Sequence, residues 1–343
     1  MAQIVHLVER LAPSGAATQA FCLAGVPSAH TTHVVSLRPL GPWGRWWRQA
    51  GRSAKSLNCR WGIDPLAGLA WRRLLAELCP VAVQTNDPMT ARFLRQWGTG
   101  TAVWGHVVRS PQKPTTTAER ADCKAAAYEP TATESSEHGY LPNAAECVSL
   151  TEAERIGYRE RFELGTDSPL VVMCLRLDNP TAVKEAVWAA DLLRVVAPGS
   201  RLVVVGEGPV RLAAERFAAA ATEPGTVRFV GPRHDALRLV AAADVVWAPQ
   251  AQHAGATPVV EARMVGCPVV FGWSRSPTGS QQATATPEIR AVEVTDRAGW
   301  VRETLAVLQA KRVGANDQDR ASSPLAEHLP ARVVSRRDAW LGI

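Results

Sequence analysis

Short apolar runs recur along the chain, separated by longer segments in which apolar and polar positions alternate at helical spacing. Ile4–Val8, His33–Leu37, Val81–Thr85 and Thr101–Trp104 form one series of runs. Leu170–Leu175, Leu202–Val205, Val227–Val230, Val245–Trp247 and Val269–Phe271 form a second. Brief Val-rich runs of this kind suit strands buried on both faces of a parallel sheet. The segments between them predict helices. Leu11–Ala24 reads as a turn and helix, with Ser14 as its cap. Asp64–Leu78 places Leu66, Leu69, Leu74, Leu75 and Leu78 at apolar positions and ends before Pro80. Asp87-Pro88 opens a helix running through Trp97. Further helices are predicted over Thr181–Val196, up to Ala221, over Arg233–Ala243 and over Asp296–Leu308. Strand and helix alternating through short turns predict an α/β fold of doubly wound parallel sheets. At 343 residues the chain is long enough for two such domains.

The segment Val245–Phe271 carries the most chemistry. It reads as strand, polar turn, short helix, strand. Pro249 ends the first strand, Pro258 suits a first helical turn, and Gly266 followed by Pro268 is a stop signal. The turn Gln250–Thr257 is rich in small residues, so a ligand can approach its backbone closely. A loop feeding a helix N-terminus presents N–H groups and a positive dipole end, which suit phosphate. Glu261, early in that helix, is placed to accept hydrogen bonds from ribose hydroxyls.

Charge changes the picture of the first half. Residues 1–145 hold 15 Lys/Arg against 9 Asp/Glu, while residues 146–343 hold 23 of each, so the whole net +6 lies in the N-terminal part. Much of it falls between Arg38 and Arg73, where Arg45-Trp46-Trp47-Arg48 mixes cations with indole rings. That pattern suits an anionic membrane face or another anionic partner. The alternative is an amphipathic helix that packs its Trp residues and solvates its Arg residues. No zinc-finger, RNP or helix-turn-helix pattern supports nucleic-acid binding. No apolar run approaches the ~20 residues needed to span a bilayer. The opening Met-Ala-Gln-Ile-Val-His-Leu-Val is too quickly polar for a signal peptide. Seven cysteines without a Cys-x-x-Cys pair argue for a reducing compartment. The expectation is a cytoplasmic protein, with peripheral contact at the inner membrane as its variant.

Metal chemistry is weakly signalled. Asp317-Gln-Asp319 lies in a polar linker and reads as a solvated turn, and His30-x-x-His33 has no metal-site context. Residues 111–139 are rich in Thr, Ala, Glu and Ser with little periodicity, and predict a poorly ordered loop.

The Val245–Phe271 segment resembles the donor-binding segment of the GT-B glycosyltransferases of the group 1 family, which use nucleotide sugars. Pro249-Gln250, Glu261-Ala262, Gly266 and Pro268-Val269-Val270 fill most slots of that pattern. Gly206-Glu207-Gly208-Pro209 after a strand, Val227-Arg-Phe-Val-Gly231 and Ala243-Asp-Val-Val-Trp247 extend the likeness over residues 170–271. Leu141–Glu146 is similar to the segment that closes the family's N-terminal domain.

The resemblance implies two Rossmann-like domains facing a cleft. These are residues 1–147 on the acceptor side and 148–324 binding the nucleotide sugar, with 325–343 packing back on the first. It implies transfer of a sugar from a nucleotide-diphosphate donor to a glycan, lipid or other small acceptor, with retention, without metal and without a cofactor. Carried over residue by residue, His106 and Arg176 are the catalytic candidates. Gly15, Gly206, His253, Gly255, Ala256, Thr257 and Glu261 are the donor-binding ones. Two positions depart from the family. Thr181 stands where a lysine is expected, with Lys184 one helical turn further on, and His253 stands where a glutamate is expected. Losing a transition-state cation costs on the order of a hundredfold in rate. Three readings follow: an active transferase, a noncatalytic module of the same architecture that binds a nucleotide or a protein, and a sugar-nucleotide epimerase.

Overall fold

A computed structural model of the chain describes residues 3–12, 14–28, 30–49, 51–60, 64–85, 87–98, 102–105, 145, 147–164, 168–251, 256–273, 288–312 and 329–341. The chain divides into two compact units, residues 1–144 with 330–343, and residues 145–329.

The first unit runs β1 (Gln3–Val8), α1 (Gly15–Gly25), β2 (Thr31–Ser36), α2 (Pro42–Gln49), β3 (Ala54–Ser56), α3 (Pro65–Leu78), β4 (Ala82–Thr85), α4 (Pro88–Trp97) and β5 (Ala102–Gly105). Its strands form a parallel sheet in the order β3-β2-β1-β4-β5. Val5, Leu7, Val35 and Val83 on one face pack against Trp71 and Leu74 of α3 and Phe93 of α4. The other face meets α1. Helix starts are set by short polar side chains that satisfy the first orphan N–H groups. Ser14 caps α1, Asp64 caps α3 and Asp87 caps α4, the last two followed by proline.

The apolar face of α3 differs from the sequence expectation. Leu66 and Leu69 are 77% and 50% exposed, and the buried set is Ala67, Gly68, Trp71, Leu74 and Leu78. The cause is aromatic. A Cβ on Gly68 would lie 2.3 Å from the Trp97 ring. The helix therefore turns its smallest residue and its tryptophan inward, and Trp71 Nε1 donates to the Gly98 carbonyl at 2.9 Å. Two edge strands, β3 and a later one at Ile289–Glu293, also went unread, because edge strands carry polar and charged residues that blur the apolar signal.

The second unit runs α5 (Glu152–Glu160), β6 (Leu170–Cys174), α6 (Pro180–Val196), β7 (Arg201–Val205), α7 (Arg211–Ala221), β8 (Val227–Gly231), α8 (Ala236–Ala242), β9 (Val245–Ala248), α9 (Thr257–Met264), β10 (Val269–Trp273), β11 (Ile289–Glu293) and α10 (Arg297–Arg312). Its parallel sheet has the order β11-β10-β9-β6-β7-β8. Numbered within the unit, that is the 3-2-1-4-5-6 order of a doubly wound dinucleotide fold. Helices α6, α7 and α10 cover one face and α5, α8 and α9 the other. Trp247 and Trp300 pack in a tilted pair, centroids 5.3 Å apart, between sheet and α10, and Trp247 Nε1 donates to Thr304 Oγ1 at 2.9 Å. Arg159 of α5 holds Asp244 at 2.8 Å, and the same carboxylate accepts the Leu170 N–H. One buried ion pair thus joins a helix to the start of β6 and the start of β9.

The last helix, α11 (Pro330–Leu341), belongs to the first unit. Val333 and Val334 pack against Cys22 and Leu23 of α1, and His30 Nε2 lies 3.6 Å from the Asp338 carboxylate. His33 pairs with Gln3 instead, at 2.8 Å, so His30 and His33 serve separate structural contacts.

Candidate functional site

In an open α/β sheet a ligand sits beyond the C-terminal strand ends, where the strand order reverses. In the second unit that point lies between β6 and β9, so the segments following these two strands border it. Arg176 stands two residues past β6. Its Nε is 3.3 Å from the Asp178 carboxylate, and both side chains are about half exposed. After β9 the chain enters α9, whose N-cap is Ala256 and whose first residues are Thr257 and Pro258. Ala256 has no side chain able to cap, and Pro258 has no N–H. The N–H groups of Ala256 and Thr257 are therefore the donors this turn presents. Thr257 is buried, and Glu261 follows one turn later, partly buried.

Glu261 lies over the end of β6. Burial, with the Glu261 carboxylate close by, pushes the Cys174 thiol far up, so this cysteine stays protonated and acts as packing beneath the site.

Gly206, expected at the donor, and its neighbour Gly208 both stand where the backbone admits no side chain. Gly206 has φ +146°, and a Cβ on it would lie 1.9 Å from the Leu175 carbonyl oxygen. A Cβ on Gly208 would meet the Leu177 carbonyl at 2.1 Å. The Leu177 N–H donates to the Glu207 carbonyl at 3.0 Å, and the Val210 N–H to the Leu177 carbonyl at 3.1 Å. The two glycines let the segment after β7 run against the segment after β6. They fix the backbone that carries Arg176, which makes them positioning residues.

The second cation is directed elsewhere. Asn179 caps α6 by accepting the N–H groups of Thr181 and Ala182, so Thr181 sits in the first turn. Lys184 has its Nζ 5.7 Å from the Phe217 ring on α7. Its side chain is exposed and lies within cation–π reach of that ring.

Gly15 is the first residue of α1 in the first unit, where Ser14 Oγ accepts the Ala17 N–H at 3.2 Å. His106, His253 and Gly255 lie outside the described residues.

The corresponding reversal point of the first sheet lies between β1 and β4. It gathers three charged groups that sequence reading passed over. Asp87 Oδ2 accepts the Glu9 N–H at 2.9 Å and its Oδ1 accepts the Thr90 N–H at 2.8 Å. Arg38 Nε lies 3.0 Å from the Glu9 carboxylate. Burial pushes the Asp87 carboxyl up, against the pull of the Thr90 and Glu9 hydrogen bonds. The signal available was Asp87-Pro88, which reads equally as a helix cap and as a carboxylate at a strand end.

On α2 the rings and cations separate. Trp43 and Trp47 pack inward on Phe21, at 5.3 and 4.4 Å. Trp47 Nε1 donates to the Ser53 carbonyl, and the Arg52 guanidinium lies 4.7 Å from the Trp47 ring. Arg48 donates to the Ala54 carbonyl at 3.2 Å. Trp46 is partly buried, and Arg45 and Arg48 are exposed. The helix thus presents cations outward, while Trp47 belongs to the core side. Among the described residues no helix is long and apolar enough to cross a membrane.

Residues 168–308 match the model of the family described as Glycosyl transferases group 1. No curated protein matches the sequence. Solved structures resemble the whole chain at low identity. HepE of Anabaena, crystallised with UDP and glucose, aligns over 100% of both chains at TM-score 0.72 and 12% identity. WaaG, described as a glycosyltransferase involved in lipopolysaccharide biosynthesis, aligns over 97% of this chain and 98% of its own, at 0.64 and 15%. A putative UDP-N-acetylglucosamine 2-epimerase from Listeria monocytogenes covers 100% of this chain and 97% of its own, at 0.63 and 13%. The fold is therefore that of the GT-B proteins, two Rossmann-like domains in one chain. The family match falls on the unit that carries Arg176, the α9 N-terminus and Glu261.

Proposed function

We propose that this chain is a glycosyltransferase that moves a sugar from a nucleotide-diphosphate donor to an acceptor, with retention and without metal or cofactor. The observation that supports this reading is the strand order, in which β6 and β9 flank the reversal point, so that the segments after them, bearing Arg176 and then Thr257 and Glu261, border it inside the matched residues 168–308. A guanidinium and a helix N-terminus stabilise charge as it develops on a leaving diphosphate. Glu261 accepts hydrogen bonds from the ribose. His106 acts beside the transferred sugar, and Gly15, His253 and Gly255 complete the donor contacts. The binding of UDP and UDP-glucose by HepE supports a nucleotide-sugar donor. The N-terminal domain, residues 1–147, takes the acceptor, a glycan, lipid or other small molecule. Its exposed Arg45 and Arg48 favour an anionic acceptor or membrane surface, and the protein works in the cytoplasm.

A second reading, a noncatalytic module that binds a nucleotide or a protein, has one observation in its favour: Arg176 is already paired with Asp178. Calorimetric titration with UDP, GDP, ADP and their sugar conjugates tests the donor site. Saturable binding of one nucleotide, lost in Arg176→Ala and weakened in Glu261→Ala, is the expected result. A folded protein that binds none of them removes the transferase reading. Turnover of the bound sugar nucleotide without any acceptor would instead identify an epimerase.

A further inference from the structure

Helices α3 and α4 lie side by side on one face of the first sheet, where Trp71 of α3 meets Phe93 of α4 edge-on, centroids 6.3 Å apart. The inner side of α3 is filled by Ala67, Trp71, Leu74 and Leu78. Leu66, Leu69 and Arg73, at i, i+3 and i+7, form one stripe on the opposite side, and all three are exposed. Arg72 flanks the stripe toward α4, its guanidinium 5.7 Å from the Trp97 ring. On α4, Phe93 and Leu94 turn inward, while Arg92 and Arg95 are exposed.

The charge on this face is one-sided. Residues 65–97 hold four arginines and two acids, and neither acid stands free beside the arginines. Asp87 is turned to the backbone N–H groups of Glu9 and Thr90, and Glu77 pairs with Lys55 at 3.0 Å. Arg73, Arg92 and Arg95 form no ion pair among the described residues. An exposed aliphatic side chain by itself is ordinary. Two leucines a turn apart, set among cations that the chain does not neutralise, select an occupant. A nucleic acid or an acidic protein surface would engage the arginines and leave the leucines against polar groups. An anionic bilayer engages both, since headgroup phosphates meet the guanidinium groups while the leucine side chains enter the acyl boundary. Helix α2, also rich in arginine, packs across the sheet on Val8 and Val34. Its tryptophans are partly buried and Arg48 is tied to the Ala54 carbonyl, so it offers cations without an exposed apolar contact.

We infer that the outer face of α3 and α4 docks on an anionic lipid bilayer, with Leu66 and Leu69 inserted and Arg72, Arg73, Arg92 and Arg95 against the headgroup phosphates. The bilayer contact thus falls on the side of the sheet away from Arg45 and Arg48.

Co-sedimentation of the full chain with phosphatidylcholine vesicles, with and without about 30% phosphatidylglycerol, tests it at ~0.1 M salt. Vesicle binding is read without nucleotide, so its outcome is independent of the donor site. Binding is expected only to the anionic vesicles and is expected to fall away by ~0.5 M salt. The triple variant Arg73→Gln, Arg92→Gln, Arg95→Gln is expected to weaken it on the order of a hundredfold, at about fivefold per arginine. The double variant Leu66→Gln, Leu69→Gln removes no charge and is expected to weaken it roughly tenfold. The double variant Arg45→Gln, Arg48→Gln is expected to change it by no more than about twofold, because the sheet separates α2 from the bilayer by more than a Debye length. All these positions are exposed, and circular dichroism and melting curves are expected to stay unchanged. Absence of binding to anionic vesicles, binding unchanged in the α3–α4 arginine variant or in the leucine variant, or loss of binding in the α2 variant overturns the inference. So does a protein that ignores vesicles and binds a single-stranded oligonucleotide.

Discussion

Each unit holds a partly buried aspartate near a helix N-terminus, and the two behave in opposite ways. Asp87 in the first unit takes its hydrogen bonds from the backbone N–H groups of Glu9 and Thr90. Burial outweighs those neutral donors, Glu9 adds its own charge nearby, and the carboxyl is pushed up. Asp235 in the second unit is also penalised by burial. Arg233 grips both its oxygens at 2.7 Å, Tyr158 adds a third bond at 3.2 Å, and the carboxyl is held down. Neutral donors satisfy a buried carboxylate without neutralising it, whereas a guanidinium does both. The same contrast runs through the cores. The first sheet buries His6, Ser36, Gln84 and Thr85 within its strands. The described strands of the second bury almost only aliphatic chains, with its buried polar groups in helices and loops. One topology thus supports a sheet with an apolar interior and a sheet that carries polar groups inside.

The strongest way to probe this difference is through the glycines. Gly206→Ala drives a Cβ into the Leu175 carbonyl at a φ that side chains rarely adopt. The second unit is expected to lose more than ~4 kcal/mol or fail to fold. In the first unit Gly68→Ala meets only the Trp97 ring, which can shift, at a cost of about 1–3 kcal/mol. Urea unfolding of both variants checks the order, and equal losses would mean that the two close approaches are equally rigid. Next comes Arg159→Leu, which leaves Asp244 buried beside Leu170 without its cation. It is expected to cost about 3–5 kcal/mol, seen in the same unfolding curves.

The aspartates give a sharper test. The raised carboxyl of Asp87 contributes stability that is full below the unfolded value near 3.8 and is lost as pH rises through its folded value. The lowered carboxyl of Asp235 contributes stability that is present above 3.8 and is lost as pH falls through its folded value. Melting temperatures relative to Asp87→Asn should therefore move against the wild type as pH rises from acid toward 7. Relative to Asp235→Asn they should move in its favour. Parallel slopes would remove the contrast. The smallest effect expected is at Asp178. Asp178→Asn releases Arg176 from an exposed pair worth ~0.2–1 kcal/mol and should tighten nucleotide-diphosphate binding about two- to fivefold. Unchanged affinity by calorimetry would show that the pair does not restrain Arg176.

How much was legible depended on how local the cause was. The strand runs, the caps at Ser14, Asp64 and Asp87, and the helix opened by Thr257-Pro258 rest on residues within one turn of each other, and these stand out in sequence. Arg176, Thr257 and Glu261 were placed at strand ends by the same local logic. The backbone constraint at Gly206 is invisible in sequence, because it comes from the Leu175 carbonyl in the segment after β6, some thirty residues away. Asp178 escaped notice because only the folded loop turns it toward Arg176. The approach of Lys184 to the Phe217 ring is equally hidden in sequence, because the two residues lie on different helices.

By itself the sequence determined two doubly wound α/β units, their order along the chain and the strand–turn–helix–strand course of Val245–Phe271. Periodicity, caps and breakers act over a few residues, and a linear reading sees them in full. Tertiary structure decided which face of α3 is buried, which glycines are clamped by distant carbonyls and which cations remain directed at the strand ends. It also decided that the last helix returns to α1. Those outcomes depend on side chains far apart in sequence competing for the same space and the same charge, and only the folded chain brings the competitors together.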